Sequence, residues 1–167
     1  MLFGTSSHTA DLSAMTSLKD TLKQDLTAAM KAGNDMVKST LRMALSAIMN
    51  AEVAGEVAVE LTDEQVLKVL QAESKKRLES AEIYATNGRA DAAAQERAEA
   101  EILAVYLPAA IGDNELAAVV AEEVAVAAAA GNEGAKAMGL VVKAVRARVG
   151  SSADGSKIAS LVKDALG

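Results

Sequence analysis

The sequence predicts an all-α protein, a four-helix N-terminal subdomain followed by a three-helix C-terminal subdomain. Three observations carry that expectation. Alanine, the strongest helix former, supplies 37 of the 167 residues. Only Phe3, Tyr84 and Tyr106 are aromatic, whereas strands favour aromatic and β-branched side chains. Apolar residues recur at helical spacing in seven successive segments, parted by breaks that contain Gly or Pro.

The first helix follows Ser17, a good cap residue, and carries Leu18, Leu22, Leu26 and Met30. Gly33-Asn34-Asp35 breaks it. The second puts Val37, Leu41, Ala44, Leu45 and Ile48 on one face and fades at Gly55. Glu56 to Leu61 is a connector in which Val57 and Val59 alternate like a short extended piece. Thr62-Asp63-Glu64-Gln65 is a capping box, with Thr and Gln each able to take the other's free backbone N–H. The third helix runs from there to about Asn87, stops at Gly88, and buries Val66, Leu70, Leu78, Ala81 and Tyr84. The fourth covers Ala90 to Tyr106 and ends before Pro108, the only proline.

Beyond Pro108, Asp113 to Ala130 is an alanine-rich helix with Leu116, Val119, Val120 and Val124 inward. Gly131-Asn132-Glu133-Gly134 is a turn. Lys136 to Val149 forms the sixth helix, with Met138, Val141, Val142, Val145 and Val149 on one face. Asp154 caps the last helix, Ser156 to Leu166, which buries Ile158, Leu161, Val162 and Ala165. Short connections favour antiparallel neighbours. The expected domains are a disordered leader or appended segment at 1–15, with Met15 as the natural start, then subdomains 16–108 and 109–167.

Composition excludes much chemistry. Without Cys there is no disulfide, thiol nucleophile or Cys-based metal site. The only histidine, His8, lies in the leader, so His acid–base chemistry and His-ligated metals are not expected. So few aromatics argue against a base-stacking platform. No charge-free stretch reaches the ~18 apolar residues of a membrane span. The N-terminus lacks the basic start of a signal peptide, Lys19 being the first cation. A cytoplasmic protein with no cofactor, metal or membrane partner is the expectation.

The net charge of −6 conceals an asymmetry. Residues 1–108 carry −5, residues 109–133 another −5 with no Lys or Arg, and residues 134–167 carry +4. At 100° per residue Lys136, Gly139, Lys143 and Arg146 fall on one stripe, off the apolar face. Arg148 lies on the other flank, and Lys157 and Lys163 come from the last helix. Gly139 leaves bare backbone where a phosphodiester chain or another helix can approach. An ordinary solvated face is the simpler reading of such charges, and four net charges are modest beside the ~6–10 phosphate contacts of strong DNA binders. Shape-reading RNA contacts need neither aromatics nor a basic pI.

Other patterns read as structural. Lys75-Lys76-Arg77, near Lys68, is a solvated, self-paired face with Glu73–Arg77 and Lys75–Glu79 pairs. Gly150-Ser151-Ser152 with Lys157 echoes an amidase nucleophile loop, but that chemistry needs a large α/β sheet. Gly155-Ser156-Lys157 lacks the order of a phosphate loop. Glu96, Glu99 and Glu101, and Glu122-Glu123, are solvated acids, because helical di-metal sites pair Glu with His. Met30, Met36, Met43, Met49 and Met138 are gap-filling core residues. Tyr106 packs at a hinge expected near Pro108.

Four stretches together resemble the YqeY-like, or GatB/YqeY, family. They are Ser17-Leu18-Lys19 with Thr40-Leu41-Arg42 and Ile48-Met49-Asn50-Ala51-Glu52; Leu61 to Leu67 with Lys75-Lys76-Arg77 and Ser80; Asn87 to Asp91 with Glu96, Glu99 to Leu103 and Tyr106-Leu107-Pro108; and Met138-Gly139 with Ala153-Asp154-Gly155 and Leu161-Val162-Lys163. Their order and spacing span residues 16–166. The resemblance implies a larger helical N-terminal part and a three-helix C-terminal part. It also implies similarity to the GatB tail of the tRNA-dependent amidotransferase, which contacts tRNA and holds no catalytic residue. A carbon–nitrogen ligase label, with glutamine as amide donor, would be inherited from the large enzyme. Ala137 and Leu140 depart from the polar or charged residues that flank Met-Gly in relatives, which weakens the basic surface.

The leading expectation is therefore a non-catalytic module that binds tRNA through Lys136, Gly139, Lys143, Arg146, Arg148, Lys157 and Lys163. The alternative is a protein-interaction adaptor whose acidic face, Asp113 to Glu133, docks a partner such as another component of the amidotransferase. A free-standing enzyme finds no residues to carry its chemistry.

Overall fold

A computed structural model describes residues 16–167, and among them every regular element is helical. The expected leader at 1–15, with His8 and the Met15 start, lies outside the described residues. The helices are α1 (Leu18–Ala32), α2 (Asp35–Glu52), α3 (Asp63–Thr86), α4 (Ala90–Ala104), α5 (Asp113–Ala129), α6 (Ala135–Val149) and α7 (Gly155–Leu166). A 3₁₀ turn, Gly150–Ser152, joins α6 to α7. Contacts group the chain into two compact units, one ending at Val66 and one beginning at Leu67. Pro108 lies within the second unit, between α4 and α5.

In the first unit the local signals act as expected. The Ser17 hydroxyl accepts the Asp20 N–H at 3.1 Å and starts α1. Gly33, at φ +69°, ends it, and the Asn34 N–H donates back to the Ala29 carbonyl at 3.0 Å. Asn34 then caps α2 by accepting the Val37 N–H. Leu22, Leu41, Ala44 and Ile48 are fully buried where α1 and α2 pack together. Lys19, near the start of α1, bonds both carboxylate oxygens of Glu52, at the end of α2, at 2.7 Å. The two helices therefore run antiparallel. The Glu52 carboxylate also accepts the Leu61 N–H, and the Asp63 carboxylate accepts the Leu18 N–H at 2.9 Å. Both halves of the Thr62–Gln65 capping box form.

The methionine expectation fails here. Met30, Met36, Met43 and Met49 are exposed, whereas Met138 of the second unit is half-buried against its core, as expected. The α1/α2 contact is filled by leucine, isoleucine and alanine, and leaves the methionines outside it. Val57 and Val59 are exposed in an irregular connector.

In the second unit the buried stripe of α3 runs through Leu70, Ser74, Arg77 and Ala81, at steps of four, three and four residues. Arg77 is only 4% exposed. Its guanidinium donates to the Glu73 carbonyl and carboxylate, at 3.0 and 3.1 Å, and to Glu99 of α4 at 3.3 Å. Arg77 is thus a buried cation rather than part of a solvated face. It takes the inward place expected for Leu78, which is half exposed. Tyr84 is half-buried, with the Arg89 guanidinium 4.8 Å from its ring centre. Helix α4 stops short of the expected Tyr106, because the residue before Pro108 disfavours helix. Tyr106 and Leu107 continue as tight turns bonded to Leu103 and Ala104.

Helices α5, α6 and α7 pack pairwise around Leu116, Val120, Ala137, Val141, Val145, Ile158 and Val162. Little side-chain bulk is present, so the core uses valine and the close approach that Ala137 permits. The Ile111 N–H donates to the Ser152 carbonyl at 2.8 Å and ties the chain entering α5 to the α6–α7 turn.

Candidate functional site

Helix α6 presents Lys136, Gly139, Lys143 and Arg146 on one exposed stripe, as spacings of three, four and three residues require. No neighbour comes within 4 Å of the position a Gly139 side chain would take, so the backbone there is open. Among the described residues no ion pair engages Lys136, Lys143, Arg146 or Lys163. The other two cations are committed. Arg148 bonds Glu122 at 2.7 Å and Glu123 at 3.0 Å, which hold its guanidinium above its ordinary pKa, Glu122 first. Lys157 pairs with Asp113. Ala137 is fully buried in the core, so its departure from the family pattern concerns packing rather than charge. Leu140 is exposed beside the stripe.

Arg146 also enters a cleft in the second unit. Helix α3 supplies Lys68, Gln71, Lys75 and Leu78, which share one face at helical spacing. The Gln71 side-chain amide donates to the Ser151 carbonyl. Lys75 reaches Asp154 at 3.1 Å rather than the expected Glu79. Leu107, Pro108 and Ala110 line it as well. The open cleft measures about 830 Å³, within the ~300–1,000 Å³ range of ligand sites.

Asp154 is the cap that the sequence predicts. It accepts the Ser156 N–H at 2.7 Å and the Lys157 N–H at 3.4 Å. The Ser156 hydroxyl, and after it the Lys75 ammonium, hold the Asp154 carboxyl far below the usual carboxylate range. The next residue, Gly155, is packed against Arg146. A Cβ at Gly155 would lie 2.7 Å from the Arg146 Nη2. The missing side chain is what lets the guanidinium lie against the first turn of α7.

The structure therefore brings Arg146 and Lys157 together with Lys68 and Lys75, which the sequence alone places on a separate, self-paired face. The α3 spacing is visible in the sequence; its opposition to the 150–157 loop is not. Arg146 is the residue common to stripe and cleft. Among the described residues no group of three acidic or His side chains could hold a metal ion. No helix among them is long and apolar enough to cross a membrane.

A family model described as Yqey-like protein matches residues 19–166. The chain belongs to that family. It is 38% identical over 88 residues to altered inheritance of mitochondria protein 41, mitochondrial, from Meyerozyma guilliermondii, covering 53% of this chain and 45% of the relative. The protein of the same name from Clavispora lusitaniae is 39% identical over 90 residues, covering 54% and 51%. An uncharacterized protein of Schizosaccharomyces pombe is 32% identical over 99 residues, covering 59% and 79%. The chain spans about half the length of the two mitochondrial relatives.

Proposed function

We propose that this chain is a non-catalytic helical module that binds folded tRNA, with Lys136, Lys143, Arg146 and Lys163 as its principal phosphate contacts. The observation that carries the proposal is the exposed α6 stripe, whose cations have no carboxylate partner among the described residues. Unpaired cations on a rigid helix can neutralise phosphates without first breaking an internal pair. Arg148 and Lys157 would have to exchange a carboxylate for a phosphate, so they contribute less. The resemblance to the amidotransferase tail supports tRNA as the RNA and suggests assistance to tRNA-dependent amidation. A chain with this role needs no catalytic group of its own.

A gel-shift titration with folded tRNA tests the reading. The wild type should shift tRNA at low salt, and a Lys143→Glu/Arg146→Glu variant should not. Equal binding by the two proteins, or no wild-type binding at low salt, contradicts it. A pulldown with and without nuclease examines the adaptor alternative, since partners that survive nuclease would favour protein docking.

A further inference from the structure

A surface that meets only phosphates has no use for an apolar wall, yet the cleft beside Arg146 has one. Leu78 stands half exposed on α3, and Leu107 and Pro108 face the same space. Arg146 and Lys68 also line it, with Lys75 paired to Asp154. An apolar wall next to a guanidinium fits an anion that carries a flat, poorly hydrated body. In an RNA, that description belongs to a nucleotide whose base has left the stack. A duplex keeps its base faces covered by stacking and offers such a cleft only backbone and groove edges.

The guanidinium lies against the first turn of α7. Gly155 leaves the space that the Arg146 tip occupies, and any side chain there would displace it. Among the described residues no aromatic side chain lines the cleft, so the base would be held by aliphatic contact rather than by ring stacking.

Resting on the RNA reading above, we propose that this cleft takes one unpaired nucleotide of the bound RNA, its base against Leu78, Leu107 and Pro108 and its phosphate on Arg146. Gly155 is the positioning residue for that arginine.

The test uses the full chain, a short single-stranded RNA oligonucleotide and a fully paired RNA hairpin, with binding followed by fluorescence anisotropy. Leu78→Asn and Gly155→Ala should each weaken oligonucleotide binding several-fold. Binding of the paired hairpin should change less than twofold. Unchanged oligonucleotide binding by both variants overturns the inference while leaving the RNA reading intact. A wild type that binds neither RNA overturns both. An acidic amphipathic peptide that binds in a Leu78-dependent way, with no response to unpaired RNA, overturns it in favour of a protein partner.

Discussion

Arg77 carries a full charge inside the protein, and its neighbours make that tolerable. Burial by itself would raise the Glu73 pKa, but hydrogen bonds from Lys76 and Arg77 outweigh it and hold the carboxyl below its usual value. Removing the guanidinium leaves Glu73 with Lys76 alone and takes from Glu99 the buried cation it meets. Arg77→Met should therefore cost about 3 kcal/mol of stability, read from urea denaturation. A loss below about 1 kcal/mol would show that the pair is not structural. Gly155 behaves oppositely. Its φ is not in the left-handed region, and the atom that a Cβ would displace is the tip of a flexible side chain. Gly155→Ala should leave the melting temperature unchanged or slightly raised, since alanine is favoured over glycine in a helix by up to ~1 kcal/mol. A clear drop would mean that Arg146 is fixed to the fold rather than merely resting on it.

At the scale of the element, the ends of helices are more legible in the sequence than their faces. Ser17, Thr62 and Asp154 each announce a helix start, because a short polar side chain can satisfy a free N–H without help from the rest of the chain. Thr62→Ala removes one bond of the capping box and should cost about 1 kcal/mol, checked by thermal and urea unfolding. A neutral result would mean that Asp63 and Glu64 suffice to start α3. Faces depend on partners that sequence does not display. Apolar spacing puts Leu78 inside, but Arg77 takes the inward position because Glu73 and Glu99 stand ready to receive it. The methionines of α1 and α2 look like core for the same reason: they are apolar, and the pattern cannot show that leucine, isoleucine and alanine fill that contact. The stripe from Lys136 to Arg146 is readable, since it depends on one helix. The cleft is not, since it needs α3 and the 150–157 loop together.

At the scale of the whole molecule, charge decides how the protein responds to its medium. Lys19's hydrogen bond, with a smaller contribution from the Leu61 N–H, holds Glu52 below its ordinary pKa despite the opposing effect of desolvation. A carboxyl depressed on folding stabilises the protein above its unfolded pKa of ~4.3, and that stability is lost as the pH falls through the lower folded value. The urea midpoint of Glu52→Gln should thus lie below wild type at pH 7, and the gap should close below about pH 4. A gap that persists undiminished at pH 2 would contradict the ion pair as its source. The net charge of −6 gives no hint of a basic surface. The +4 of residues 134–167, laid along α6 and α7, does.

The most direct test of that surface is the salt dependence of tRNA binding. The logarithm of the affinity should fall linearly with the logarithm of salt concentration, and replacing Lys143 or Arg146 with glutamine should each reduce the slope by about 0.7–1. An unchanged slope in both variants, or no wild-type binding at low salt, would contradict the assignment of α6 as the phosphate-binding helix.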